Sequence, residues 1–282
     1  MNNLPTTIFS PNGPEVTRIG LGGEGILRTF GREPEARDVV QEALTQGITY
    51  FDTAPAYSGS QAYLGSVWGD QPEARSKVFQ TSKSAERSYA GAMSDLKRSL
   101  ETLQTESLDL WQIHDVRSEK DLHRLEAEDG ALQAFIAARD QGLVKRIGVT
   151  GHHDPGILLH CVRTWPLDSV LLPVNPAEAA LHGFLDQIVP EARQRSMAVI
   201  GMKCLGGGHY IQPDRGVTAE RLIRYALQAG PDLIVIGCSS PLEVQELISA
   251  AMNAPLPDEE RSALEQAFEP NADRLAFYRG GR

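Results

Sequence analysis

Four residues able to move a proton lie at, or a turn beyond, the ends of short apolar runs in this chain. Asp52 follows Tyr50-Phe51, Tyr57 comes a turn later beyond Pro55, Lys83 ends Lys77-Val-Phe-Gln-Thr-Ser-Lys83, and His114 ends Leu108-Asp-Leu-Trp-Gln-Ile-His114. A lysine at the end of an apolar strand is desolvated, which favours its neutral form unless a carboxylate pairs with it; Asp52 is the expected partner. A tyrosine beside that ammonium has its phenolate stabilised, which is expected to lower a pKa ordinarily about 10, at about 1.4 kcal/mol per unit. A histidine opposite can orient a carbonyl oxygen or share the proton. Together these groups could protonate an alkoxide as hydride arrives at carbon. Each also has a plainer reading: a helix cap, a packed aromatic, a surface lysine, a core histidine. Their recurrence at successive strand ends argues against all four being plain.

The elements that position them repeat. Helices are expected over Pro34 to Gln46, Ala62 to Trp68, Ser88 to Leu103, Gly130 to Gln141, Pro155 to Thr164, Phe184 to Arg195, Thr218 to Gln228 and Pro241 to Ala251. Strands alternate with them: Ile19 to Gly23, Ile48 to Asp52, Lys77 to Lys83, Leu108 to His114, Arg146 to Gly151, Ser169 to Asn175, Ala198 to Lys203 and Leu233 to Gly237. Continuous Val, Ile and Leu runs mark strands buried on both faces. Eight such units imply a (β/α)8 TIM barrel as one domain over residues 1–282, with a short N-terminal hairpin (Thr6 to Arg18) under it and a C-terminal helical tail. A doubly wound sheet is the runner-up, but Gly20-Leu-Gly-Gly-Glu-Gly25 lacks its phosphate fingerprint spacing. Gly22 and Gly23 permit close approach of backbone or ligand. Two long connections, Asp115 to Asp129 and Cys204 to Gly216, should overhang the face that carries the strand ends.

The formal net charge of −10 argues against nucleic acid and anionic membranes as partners. Cys161, Cys204 and Cys238 form no CxxC pair or metal-ligand spacing and suit a reducing compartment. The start shows no basic region followed by an apolar one, and no apolar run is long enough to span a bilayer. The expectation is a cytoplasmic monomer or small homo-oligomer without a metal site.

With Phe51-Asp-Thr-Ala-Pro-Ala-Tyr57, Thr81-Ser-Lys83, Leu108 to His114 and Ile147-Gly-Val-Thr150 in place, the chain resembles the aldo-keto reductase family from Arg18 to about Ala251. The resemblance implies an oxidoreductase that interconverts a small aldehyde, ketone or sugar with its alcohol. Tyr57 would be the general acid/base, Lys83 and Asp52 would tune it, and His114 would orient the carbonyl. It also implies a nicotinamide dinucleotide, NAD(P)H, laid across the barrel mouth. The cofactor contacts expected from it are Gly22, Gly23, Asp52, Thr150, Asn175, Met202, Lys203, Leu205, Gly237, Ser239 and Glu243.

The chain departs from the family pattern at that cofactor rim. Gly151 stands where an asparagine is common, and His152 and His153 follow it as candidates to line the substrate pocket. Met202 stands where an aromatic often stacks on the nicotinamide, as a polarizable substitute. Lys203 and the glycines beyond it could hold a diphosphate. No basic residue occurs between Arg224 and Arg261, and Glu243 would repel a 2′-phosphate. NAD(H) therefore ranks level with or above NADP(H). Two other classes compete: a nucleotide-binding regulatory barrel without turnover, and a metal-dependent hydrolase using His114, His152 and His153. The intact acid speaks against the first, and the lack of a supporting carboxylate against the second.

Overall fold

The computed structural model describes residues 4–280. Met1 to Asn3 at the start and the last two residues of the expected tail lie outside the described residues.

The hairpin is present: β1 (Thr6–Ile8) pairs antiparallel with β2 (Glu15–Thr17). The strands β3 (Ile19–Leu21), β4 (Tyr50–Phe51), β5 (Phe79–Ser84), β6 (Leu110–Ile113), β7 (Ile147–Thr150), β8 (Ser169–Pro173), β9 (Ala198–Met202) and β10 (Leu233–Ile236) close into one parallel barrel, β10 pairing with β3. The (β/α)8 expectation holds. The strands are shorter than the apolar runs suggested, because flanking residues leave the ladder to form the connecting loops.

Helices α1 (Glu33–Thr45), α2 (Ser60–Asp70), α3 (Pro72–Arg75), α4 (Tyr89–Thr102), α5 (Glu119–Glu126), α6 (Ala131–Asp140) and α7 (Pro155–Thr164) cover the first half. The second half has α8 (Pro176–Leu181), α9 (Val189–Gln194), α10 (Ala219–Gln228), α11 (Pro241–Met252), α12 (Asp258–Phe268) and α13 (Ala272–Leu275). Several starts are written in the sequence. The side chains of Ser88, Ser118, Asp154, Asn175, Thr218 and Ser240 each accept from a backbone N–H in the first turn of the helix that follows. The helix expected over Phe184 to Arg195 instead opens with a π turn, Phe184–Ile188, before α9. The charged connection after β6 folds as α5, and α8 stands between β8 and that π turn.

One cluster fills the barrel interior: Phe9, Val16, Tyr50, Phe79, Leu110, Leu171, Ala198, Ile200 and Leu233. Phe9, at the end of the hairpin, is fully buried, with its ring 4.6 Å from that of Phe79. The hairpin therefore plugs the bottom, which burying a phenylalanine favours by about 1.5–3 kcal/mol. With the bottom sealed, the polar groups at the strands' C-terminal ends gather at the open mouth.

Candidate active site

Lys83 is completely buried inside the barrel, on β5. Side chains alternate along a strand, so Thr81 and Lys83 share the inward face. Both reach Asp52: Lys83 Nζ lies 2.5 Å from Asp52 Oδ2, and Thr81 Oγ1 donates to Oδ1 at 2.7 Å. Lys83 Nζ also donates to the Thr53 carbonyl at 3.0 Å. Burial alone would push the ammonium down, but Asp52, helped by Tyr57, outweighs it and holds Lys83 above its ordinary value. The expected pairing is thus in place. Thr81 is an anchor that sequence reasoning quoted but gave no task, although its place two residues before Lys83 was the signal.

Tyr57 comes from the loop after β4 and is half-buried. Lys83 Nζ lies 4.7 Å from the centre of its ring. The Tyr57 and His114 rings meet edge to face at 5.6 Å, and the Arg28 guanidinium covers the Tyr57 ring at 5.3 Å. Burial raises the Tyr57 phenol above its ordinary value, against the pull of Lys83. This corrects the expectation of a lowered value: the ammonium is present, but the loss of water around the phenol outweighs it, and the Asp52 charge adds to the rise. Burial, with Lys83 second, lowers His114 to about 3, so its ring is neutral near neutral pH.

The glycines expected to cradle a ligand make room for the chain itself. A Cβ on Gly23 would meet Ser60 Oγ at 2.7 Å and the Tyr57 ring at 2.8 Å. One on Gly237 would meet Glu24 at 2.6 Å, and one on Gly22 would press on Gly237 N at 3.1 Å. Thr150 Oγ1 accepts from the Asp115 N–H at 2.8 Å. Asn175 is fully buried and committed: its amide donates to the Tyr278 hydroxyl at 2.8 Å and to the Lys203 carbonyl at 3.3 Å, while its oxygen caps α8.

Tyr278 is the tail residue that sequence reasoning missed. Its hydroxyl donates to Glu178 Oε1 at 2.6 Å, its carbonyl lies 3.0 Å from His152 Nδ1, and the next residue, Arg279, forms an ion pair with Glu178. No local signal connects positions this far apart in sequence. His152 and His153 stand at the same mouth, their rings 5.0 Å apart. Burial, with Lys203 second, lowers His152 to about 4.

On the seventh unit, Met202 ends β9 and packs against the interior cluster, and Leu205 bridges the outer core to the cluster under the tail. Lys203 is half-buried at φ 57°, with Nζ 5.4 Å from the Tyr278 ring. Burial lowers its ammonium. On the eighth, Ser240 caps α11 and the Glu243 carboxylate accepts from Ser239 N at 2.7 Å. A depression of about 700 Å3, lined by Ile48, Thr49, Pro72 and Lys77 among others, lies at the opposite rim, away from these groups.

A barrel whose mouth holds this tetrad belongs to a recognisable class. The Aldo/keto reductase family model matches residues 18–216, and the chain is a member of that family. Among characterised relatives, an NAD(P)H-dependent 6'-deoxychalcone synthase from Glycine max is 32% identical over 168 residues, 52% of this chain and 51% of that protein. An aldose reductase from Encephalitozoon cuniculi is 27% identical, covering 69% of this chain and 67% of that protein. The alignments span about half the length of the first curated relatives, 51% and 50%. An aldo-keto reductase of Bacillus halodurans, in its holo form, superimposes with a TM-score of 0.76 at 18% identity, covering 94% of this chain and 96% of that one. One from Brucella melitensis gives 0.73 at 22% identity, over 94% and 99% of the two chains; these two likenesses speak to the fold. No helix among the described residues is long and apolar enough to cross a membrane.

Proposed function

We propose that the chain is a nicotinamide-dependent oxidoreductase that interconverts a small aldehyde, ketone or sugar with its alcohol. The observation that carries this reading is the buried Lys83, held between the Asp52 carboxylate and the Tyr57 ring, with neutral His114 on the far edge of that ring.

Bound nicotinamide would supply or accept the hydride. Tyr57 gives its proton to the carbonyl oxygen in reduction and takes it back in oxidation. Neutral His114 donates a hydrogen bond that positions that oxygen. Lys83 stabilises the phenolate left behind, and Asp52 with Thr81 keeps Lys83 charged and in place.

The dinucleotide is supported on one side of the mouth. Among the described residues, Lys203 makes no ion pair or side-chain hydrogen bond, so a half-buried cation stands beside the triple glycine Gly206–Gly208, all at positive φ. That arrangement suits a diphosphate. Thr150 could donate its hydroxyl hydrogen to the carboxamide while still accepting from the Asp115 N–H, whereas Asn175 would hold the carboxamide only by exchanging the contacts it now makes. Glu243 at the far rim, with Ser239 and Ser240 beside it, supports NAD(H) at least equally with NADP(H).

The test is to screen carbonyls and sugars while following nicotinamide absorbance with both cofactors. Turnover with either cofactor supports the reading; a strong preference for NADPH overturns its NAD(H) part. If the chain binds nucleotide, turns over nothing, and keeps its biological role as Tyr57→Phe, it is a binding barrel instead.

A further inference from the structure

The sequence groups His114 with His152 and His153 and finds no carboxylate to complete them. The structure regroups these residues: His114 goes to Tyr57, and Asp115 goes to the histidine pair. One oxygen or nitrogen from each of Asp115, His152 and His153 lies within 4.8 Å of those of the other two. We propose that these three side chains form a binding site for a divalent transition-metal ion of the zinc class.

The argument starts at His152. The Tyr278 carbonyl, 3.0 Å from Nδ1, can only accept, so Nδ1 carries the hydrogen. Nε2 then presents a lone pair, and the atom it faces is Asp115 Oδ1 at 3.2 Å. That oxygen is buried and has no hydrogen-bond partner. Two acceptors face each other in a half-buried place, and a shared cation resolves the conflict.

The surroundings are those of a metal shell. Ligating imidazoles usually donate their other N–H to a carbonyl or carboxylate, which fixes the ring; the Tyr278 carbonyl does this. Arg117 takes the second carboxylate oxygen, Oδ2, and leaves Oδ1 free. Asp115 is held at φ 58° with its N–H on Thr150 Oγ1, which aims the carboxylate at the histidines. With bonds of about 2.0–2.2 Å, tetrahedral zinc ligands lie about 3.3–3.6 Å apart, slightly wider than the 3.2 Å between Nε2 and Oδ1. The nitrogen-rich set suits zinc, cobalt or nickel and disfavours calcium and magnesium. Three protein ligands leave a position for water or another oxygen donor. Lys203 nearby works against a second cation, so the site should be weaker than a closed structural zinc site.

The test is cobalt(II) titration of the metal-free full chain. The expected result is one ion per chain, visible absorption bands of four-coordinate nitrogen–oxygen ligation, and displacement by zinc. Paramagnetic broadening should fall on the ring protons of His152 and His153 and spare His182 and His209. Asp115→Asn and His153→Gln should each weaken binding at least tenfold without changing the metal-free melting temperature. A wild-type chain that takes up neither ion at millimolar concentration overturns the proposal, as does broadening centred on other histidines. Because the broadening is read on the unmutated protein, a variant that fails to fold leaves the test intact.

Discussion

Lys83 points its ammonium at the face of the Tyr57 ring, 4.7 Å from the ring centre, while bonding Asp52 at 2.5 Å. The lysine is therefore shared between a carboxylate that keeps it charged and a phenol whose anion it can stabilise. Placed in the barrel interior, neither Lys83 nor Asp52 would tolerate losing the other: breaking a buried pair typically costs about 3–5 kcal/mol. Burial keeps that phenol protonated well into the alkaline range in spite of the ammonium beside it.

Tyr57→Phe should lower kcat by about 10²–10⁴-fold, the usual range for losing a positioned proton donor. Dinucleotide binding, followed by quenching of intrinsic fluorescence, should stay within a few-fold. A variant that keeps most of its turnover assigns the proton to another group.

The pH dependence follows from the raised phenol. Reduction needs Tyr57 protonated, so its rate should stay level through neutral pH and fall only above pH 10, the ordinary tyrosine value. Oxidation needs the phenolate and should rise over the same range. Stability has the same sign. Lys83 is raised above 10.5 in the folded chain, so its contribution is complete below pH 10.5 and is lost as pH rises through the folded value. The buried phenols of Tyr50 and Tyr57 stay protonated when folded but ionise in the unfolded chain above pH 10, which adds to the loss. Urea midpoints measured at pH 8 and above pH 10 check this; an unchanged midpoint contradicts it.

Gly23→Ala should act on chemistry through position. The new methyl group would sit 2.8 Å from the Tyr57 ring, between Ser60 Oγ and the Asp52 carbonyl at 2.7 Å and 2.9 Å. We expect kcat to fall at least tenfold while KM for the dinucleotide changes little, with the far-ultraviolet circular dichroism spectrum preserved. Equal losses in both parameters would instead point to a role in binding.

Phe9→Ala removes the plug at the sealed end. A buried Phe→Ala change costs about 3–5 kcal/mol, and the site lies at the other end of the strands. Thermal unfolding should shift down by several degrees while kcat at low temperature stays near wild type.

Glu178→Ala tests the tail. Glu178 is fully buried and receives both the Tyr278 hydroxyl and the Arg279 guanidinium. Its removal leaves that guanidinium unpaired and frees the Asn175 amide from part of its network. Limited proteolysis should cut near Phe277 at least tenfold faster than in wild type.

Much of the fold could be read in the sequence because buried parallel strands leave continuous apolar runs, and Ser88, Asp154 and Thr218 announce the helices they cap. The charged loop after β6 hid a helix, although Ser118 as a cap and Leu122 and Leu125 on one face were signals for it. The π turn at Phe184 left no such trace. In the site, Asp52, Lys83 and His114 were readable because each ends its own strand run. The ties of Asn175 and His152 to Tyr278 were not, since they join positions 103 and 126 residues apart. The phenol's direction was misjudged for an energetic reason: sequence reveals which charges are near, but not how completely water is excluded.

The seam where β10 meets β3 has a kinetic consequence. Ile234 pairs with Ile19, and Arg18 crosses the same seam to the Asp232 and Leu227 carbonyls, over 214 and 209 residues of chain. Each strand–helix unit can assemble from neighbours close in sequence, but closing this ring requires its two ends to find each other. Loop closure over such a span is entropically expensive and slow relative to local pairing. Until it happens, both edges of an otherwise formed sheet are open to pairing with other chains. The barrel's slow step, and its window for aggregation, therefore sit at the glycine-rich first strand, beside the loop that carries Gly23 to Tyr57.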